Sequence, residues 1–356
     1  MALNTIEFVE SLIKEGYTHL CVVPCSFAKN VINEAINNPS IEYVPSASEA
    51  VAVSVAAGLK MGGKKPIVIV QSSGLTNMGS NITSLLKPYG VTFPILTSWR
   101  TYKDGDSEIQ HQHLATELPE LIKAYGYEHT VISQDSLEDS IAQINKCDTS
   151  FIIGVIKKDT FSKVDLNDEH KLDLSSCVPR SKLLINLNEK FKDTNTLFIG
   201  TTGNTAREMY SFMPDTNNFY MAGNMGGALS LGLGASMAGK KTIVCGGDAE
   251  FVMHMGGLTT TGRYQDLDLT YILFDNEQNK STGGQNTYQS HIDYISIAKA
   301  SGLDVEEKTI TTLDEFSSIM DTQKTAKGLK FILVKCGLDD ETPRPPLNVV
   351  KVSEFN

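Results

Sequence analysis

Short apolar runs alternate with helix-period segments along the whole chain, and this alternation most constrains how it can fold. Strands covered on both faces read as near-continuous aliphatic runs, and a helix between each pair returns the chain for another parallel strand. The predicted class is therefore α/β, with mostly parallel sheets and helices on both faces. In the front half, Ile6, Val9, Leu12 and Ile13 recur at helical spacing up to Gly16, and residues 18–24 read as a buried strand. An Ala-rich helix over about 48–61, stopped by Gly62 and Gly63, precedes strands at 66–70, 93–98 and 151–156. In the rear half a helix at 183–191 is followed by strands at 196–201, 241–246, 268–274 and 330–334.

The stretch 157–179 turns polar and charged without apolar periodicity. It predicts a linker at 166–180 between a front domain, 1–165, and a rear domain, 181–356. A length of 356 residues suits two domains. Lys and Arg number 31 against 42 Asp and Glu, a net charge of −11 that disfavours nucleic acid or anionic lipid as a partner. Glu7 and Glu10 stand where a signal peptide would be basic, and no apolar run is long enough to span a bilayer, so a cytoplasmic protein is expected. The six cysteines form no C-x-x-C pair and are expected to be reduced and mostly buried. Arg344, among Pro343, Pro345 and Pro346, makes a stiff C-terminal stretch with no evident chemistry.

In open α/β sheets ligands bind beyond the carboxyl ends of the strands, so residues just after each strand carry the functional information. After the strand at 241–246 come Gly247, Asp248, Ala249, Glu250 and Phe251; after the next, Asp275, Asn276, Glu277 and Gln278. The Asp248 carboxylate, the Asn276 amide oxygen and the Gln278 backbone carbonyl make a hard-oxygen set suited to Mg²⁺ carrying a diphosphate. Equally, Asp248 could be a helix cap and Asn276 a turn residue.

The Gly-Asp-x motif, followed one βα unit later by an Asn-containing loop, resembles the diphosphate signature of thiamine diphosphate enzymes. Two positions depart from the usual pattern: Ala249 stands for Gly, and Asp275-Asn276 for Asn-Asn. Segments 46–70, 71–86, 94–100, 108–115, 201–208, 223–234 and 275–285 together resemble the phosphonopyruvate decarboxylase branch of thiamine diphosphate-dependent decarboxylases, with sulfopyruvate decarboxylases as its nearest relatives. The resemblance implies two thiamine diphosphate-binding-fold domains, the front one holding the pyrimidine and the rear one the diphosphate. It implies that Glu49 activates thiamine diphosphate, and that Asp248, Asn276 and the Gln278 carbonyl hold Mg²⁺. Thr202, Gly203, Ala249 and Glu250 would lie near the diphosphate, and Met225 with Gly226 under the thiazolium. On residue type alone, Glu49 could instead be a first-turn acid favoured by the helix dipole, and Met225 a core residue.

A small anionic 2-oxo acid needs local cations and oriented donors within an acidic protein. Ser26, Lys29, Ser72, Ser73, Arg100, His111 and His113 are the candidates. Arg100 could also serve as a surface ion pair. His111 and His113, read as alternate residues of a strand, could form a metal pair, although no third ligand accompanies them. His111 is the favoured proton-transfer group. The expected activity is decarboxylation of 3-phosphonopyruvate to phosphonoacetaldehyde, with sulfopyruvate decarboxylation or a non-catalytic two-lobed binding protein as alternatives. The resemblance further implies a homo-oligomer with active sites between subunits.

Overall fold

A computed structural model describes residues 2–100 and 111–337 together with Pro343 and Pro345. Residues 108–110 of one motif, and Arg344 and Pro346, lie outside the described residues. The chain divides into two compact units, Met1–Lys171 with Asn279–Asn286, and Leu172–Gln278 with Thr287–Asn356.

The first unit is built on β1 (His19–Val22), β2 (Glu42–Pro45), β3 (Pro66–Val70), β4 (Ile95–Ser98), β5 (Glu128–Val131) and β6 (Ile152–Ile156). All pair in parallel, in the order β2-β1-β3-β4-β6-β5. The second unit uses β7 (Leu197–Gly200), β8 (Asn217–Tyr220), β9 (Thr242–Gly247) and β10 (Leu269–Asp275). Two two-residue strands, β11 (Gln278–Asn279) and β12 (Gln285–Asn286), pair outside the main sheets; β13 (Asp304–Val305) and β14 (Leu329–Lys335) complete the second. Its order is β13-β14-β10-β9-β7-β8, also parallel throughout. Read from β8, this repeats the connectivity of the first sheet. In each unit the order reverses beside the first strand, β1 or β7, and such a switch point opens a crevice at the carboxyl ends.

The period-2 geometry of a strand divides each sheet between two cores. Leu20, Val22, Ile67, Ile69 and Leu96 pack to one side of the first sheet, while Cys21, Val68, Val70, Ile95 and Ile153 pack to the other. In the second, Ile199, Val244, Tyr271, Leu273 and Phe331 face one side, and Phe198, Ile243, Cys245, Ile272, Phe274 and Ile332 the other. Each such side chain, wholly withdrawn from water, contributes roughly 1.5–3 kcal/mol.

Residues 157–171 do not form a free tether. Asn30, Asn33 and Asn37 on the helix Lys29–Asn37 donate side-chain amides to the carbonyls of Phe161 (3.1 Å), Val164 (2.9 Å) and Asp165 (2.9 Å). This polar segment therefore belongs to the first unit, held by these side chains and by a parallel bridge of Phe161 with Leu3. The helix at 48–61 forms over Glu49–Met61, with Ser48 capping the Val51 amide at 3.4 Å. Among the described residues no helix is long and apolar enough to cross a membrane.

Burial pushes Cys21, Cys147, Cys245 and Cys336 up to about 12, whereas Cys177 is partly exposed. Native protein titrated with a disulfide reagent should release far less thiol from those four than from Cys177; rapid reaction of all six would contradict this packing. A Cβ on Gly262 would fall 1.8 Å from the Ser301 carbonyl oxygen, a backbone atom that cannot rotate away. Gly262→Ala is expected to destabilise the second unit by about 1–3 kcal/mol, read as a lowered midpoint in thermal unfolding.

Candidate active site

Glu49 opens its helix directly after β2, and its side chain is only 5% exposed. Asn77 Nδ2 donates to Oε2 at 2.9 Å. The other oxygen lies against Gly74, where an added Cβ would meet Oε1 at 2.4 Å. Gly74 thus leaves room for one rotamer of the acid and Asn77 holds it there. A buried, positioned carboxyl group can exchange a proton with a ligand nitrogen in a way a solvated surface Glu cannot.

The loops after β1, β3 and β4 gather the polar residues expected at the substrate. Arg100, 4% exposed, donates from an Nη to Ser26 Oγ at 2.5 Å and stacks over Phe27 at 4.5 Å from the ring centroid. It is a buried cation held in place, not a surface ion pair. The Ser72 amide donates to Ser98 Oγ at 3.3 Å. Gln71 Nε2 lies 2.9 Å from Ser73 Oγ and 3.3 Å from His111 Nε2, joining the β3 loop to a buried histidine. His111 is the cap of the helix Gln112–Ala124 and His113 sits exposed in its first turn. The two do not share a strand face, because this segment is helical. Lys29 is exposed at the start of its helix.

In the second unit the candidates follow β7, β8, β9 and β10. Thr202 and Gly203 form the turn into the helix Asn204–Phe212, with Gly203 at φ +80. Among the described residues Thr201 Oγ1 beside them is buried without a hydrogen-bond partner, and a Cβ on Gly247 would lie 3.9 Å from the Thr201 methyl. Half-buried Met225 and Gly226 occupy the turn after β8, with Gly226 at φ +89 against the His254 ring.

Asp248 begins a short helix directly after β9 and is 4% exposed. Register pairs Gly247 with Phe274, so the next residues, Asp248 and Asp275, come side by side. Burial first, then the Asp275 carboxylate, push the Asp248 carboxyl up to about 7, against the pull of the Ala249 amide and the Arg180 guanidinium. Asn276, 5% exposed, accepts the Gln278 amide on Oδ1 at 3.1 Å, across Glu277 at φ +52. That left-handed conformation costs a residue with a side chain about 1–2 kcal/mol.

Among the described residues no three His, Cys, Asp or Glu side chains gather as a metal cluster. A cation here depends on one carboxylate with amide and carbonyl oxygens, a hard donor set of the kind Mg²⁺ takes. The raised Asp248 carboxyl and the unpartnered Thr201 hydroxyl fit a divalent cation and an oxyanion at this edge. The Glu250 carboxylate turns inward, taking the Tyr271 hydroxyl at 2.9 Å and the amides of Gly247, Ala228 and Leu229. It therefore braces the Gly247 turn.

Residues 199–334 match the family model "thiamine pyrophosphate enzyme, C-terminal TPP binding domain", and residues 7–118 match "thiamine pyrophosphate enzyme, N-terminal TPP binding domain". A sulfopyruvate decarboxylase subunit beta from Methanocaldococcus jannaschii is 33% identical over 158 residues, covering 43% of this chain and 79% of its own length. The chain belongs to the thiamine pyrophosphate enzyme family. A phosphonopyruvate decarboxylase from Streptomyces viridochromogenes is 27% identical over 377 residues, covering 99% of this chain and 93% of the relative. A sulfopyruvate decarboxylase from Methanosarcina acetivorans is 27% identical over 330 residues, covering 85% and 83%. Within the family this is a thiamine diphosphate-dependent decarboxylase, a carbon–carbon lyase of the phosphonopyruvate and sulfopyruvate type.

Gln71, Gly74, Asn77 and Thr201 escape a sequence reading that looks for charge. Gln71, Gly74 and Asn77 all lie in the segment after β3, so the density of small and amide residues there was the available signal. Gly74→Ala is expected to displace Glu49 and lower decarboxylase kcat by about 100-fold while thermal stability changes little. Activity within twofold of wild type would show that the close approach is unimportant.

Proposed function

We propose that this decarboxylase converts 3-phosphonopyruvate to phosphonoacetaldehyde. The C1–C2 bond breaks, CO₂ leaves, and a proton takes its place on the former keto carbon. The observation that carries this reading is the buried Arg100, fixed by Ser26 and Phe27 where the β4 loop leaves the sheet. A guanidinium offers forked donors that match phosphonate and carboxylate oxygens, and relatives named phosphonopyruvate decarboxylase match 84–99% of the chain.

Thiamine diphosphate, when bound, supplies the electron sink for the pair released on bond cleavage. Glu49 holds a proton at the aminopyrimidine N1′, oriented by Asn77. Asp248, Asn276 and the Gln278 carbonyl hold Mg²⁺. Thr202, Gly203 and Ala249 line the diphosphate, with the free Thr201 hydroxyl beside them, and Met225 and Gly226 support the thiazolium. Ser72, Ser73 and Lys29 add donors around the anionic substrate. His111 serves proton transfer, with Gln71 at its Nε2, and exposed His113 adds a second imidazole.

The assembly proposed is a homo-oligomer whose sites lie between subunits. The helices Glu49–Met61 and Ala228–Met237 are apolar on their outer faces as well as their inner ones, with Val51 44%, Val55 37%, Leu231 42% and Met237 48% exposed. Helices apolar all round belong in an interior, and a second copy of this chain would supply it. Equilibrium sedimentation is expected to show a dimer or larger species, whereas a fully active monomer would refute the assembly.

CO₂ release should favour phosphonopyruvate over sulfopyruvate by more than about tenfold in kcat/KM. The reverse preference would assign the sulfonate, which carries less charge. Glu49→Gln should nearly abolish turnover with the fold intact, and chelation with EDTA should remove activity that Mg²⁺ restores.

A further inference from the structure

Asn276 stands between two acids, and a single lysine holds both. Lys335, the last residue of β14, is the register partner of Asp275. Its Nζ lies 3.1 Å from Asp275 Oδ2 and 2.5 Å from Glu277 Oε1. Asp275 is tied twice more, its Oδ1 taking the Glu277 amide at 3.1 Å and its carbonyl taking the Cys336 amide at 3.0 Å. The end of β14 therefore grips the turn on both sides of Asn276. Across the sheet, Asp248 follows Gly247, the register partner of Phe274. Asp248 and Asp275 thus come side by side at the ends of β9 and β10, and Lys335 engages Asp275 together with Glu277 two residues on.

We infer that Lys335 is a positioning residue for the divalent cation, offsetting the charge of Asp275 and Glu277 beside it so that Asp248, Asn276 Oδ1 and the Gln278 carbonyl remain its donors. The inference rests on the cation site proposed above. Coulomb attraction gives the physical reason. A dication draws every carboxylate within reach, and Asp275, which hydrogen-bonds Asp248, and Glu277 stay out of its shell only while an ammonium offsets their charge. Hydrogen bonds from Lys335 to both acids also stabilise the left-handed turn at Glu277 that sets Asn276 and Gln278 on the same side. Were either acid to enter the coordination shell, it would displace a neutral oxygen and leave the cation's charge too far compensated to hold a diphosphate.

The test measures Mn²⁺ binding by the paramagnetic resonance of the free ion, with saturating thiamine diphosphate and no substrate. Lys335→Met is expected to weaken binding of the cation–diphosphate pair at least about tenfold, as loss of an outer partner does elsewhere, and Lys335→Arg to stay near wild type. The double variant Lys335→Met with Asp275→Asn should regain most of the affinity, because the acid that needed the lysine is gone. A lysine that merely props the strand would predict no such rescue. Binding by Lys335→Met within twofold of wild type, or a loss that Asp275→Asn leaves untouched, overturns the inference. Should Lys335→Met alone not fold, the double variant carries the test, and a tenfold loss in it is the overturning result. Asp248→Asn separates the two ideas: if it too binds Mn²⁺ as wild type does, the cation site itself is wrong; if it alone loses binding, only the role of Lys335 fails.

Discussion

A carboxylate removed from water must find donors or a cation, and this chain removes several at the carboxyl ends of its parallel strands. Glu49, Glu208, Asp248, Glu250 and Asp275 are all at most 7% exposed. Each finds a different form of compensation. Glu49 takes an amide from Asn77, Glu250 a phenol and three backbone amides, Glu208 a two-pronged bond from Arg180 at 2.7 and 2.9 Å, and Asp275 the Lys335 ammonium. Asp248 takes its own neighbour's amide and a 3.4 Å contact from the Thr287 hydroxyl, and shares a hydrogen bond with Asp275. In this set Asp248 is therefore set against a second carboxylate, which together with burial raises its carboxyl.

The sheets create these positions. A parallel strand buried on both faces ends abruptly where its neighbours end, and the following loop starts at the rim of the hydrophobic core, partly dry and backed by rigid strands. Side chains placed there keep their geometry at little entropic cost, because the backbone beneath them cannot yield. Both units use the same strand order, so the loops that follow β2 and β8, which carry Glu49 and Met225, occupy equivalent places. The strand ends after β1, β3 and β4 collect a cation, hydroxyls and an imidazole; those after β7, β9 and β10 collect an unpartnered hydroxyl, a carboxylate and amide oxygens. The difference in chemistry between the two units comes from loop residues on a shared scaffold.

The eight strands evident from the sequence, β1, β3, β4, β6, β7, β9, β10 and β14, are the interior ones. Each carries the long aliphatic run that burial on both faces demands. Six described strands escaped notice: β11 and β12 pair only with each other, and β2, β5, β8 and β13 are the sheet edges. Their sequences, such as Glu128–Val131 and Asn217–Tyr220, are short and half-solvated, with burial that follows the neighbouring strand and the covering helices more than their own composition. Pairing makes them strands, and pairing is not a local property. The polar stretch 157–171 shows the reverse effect. The linker was expected at 166–180, yet residues up to Lys171 fall with the first unit, where the Asn167 amide donates to Asn37 Oδ1 at 2.9 Å.

The sequence alone determined the α/β class, through its hydrophobic period, and the resemblance to thiamine diphosphate enzymes, through its loop motifs, because both are written locally. Tertiary structure decided which way the acids point and what holds them. Glu250 turned inward, Arg100 stacked on Phe27, His111 became a helix cap, and Lys335, distant in sequence from every motif, came to rest on Asp275 and Glu277. These outcomes depend on strand register and on the shortage of space around Gly74 and Gly246. Both arise only when segments remote along the chain pack together, so neither has a local signature for a sequence to display.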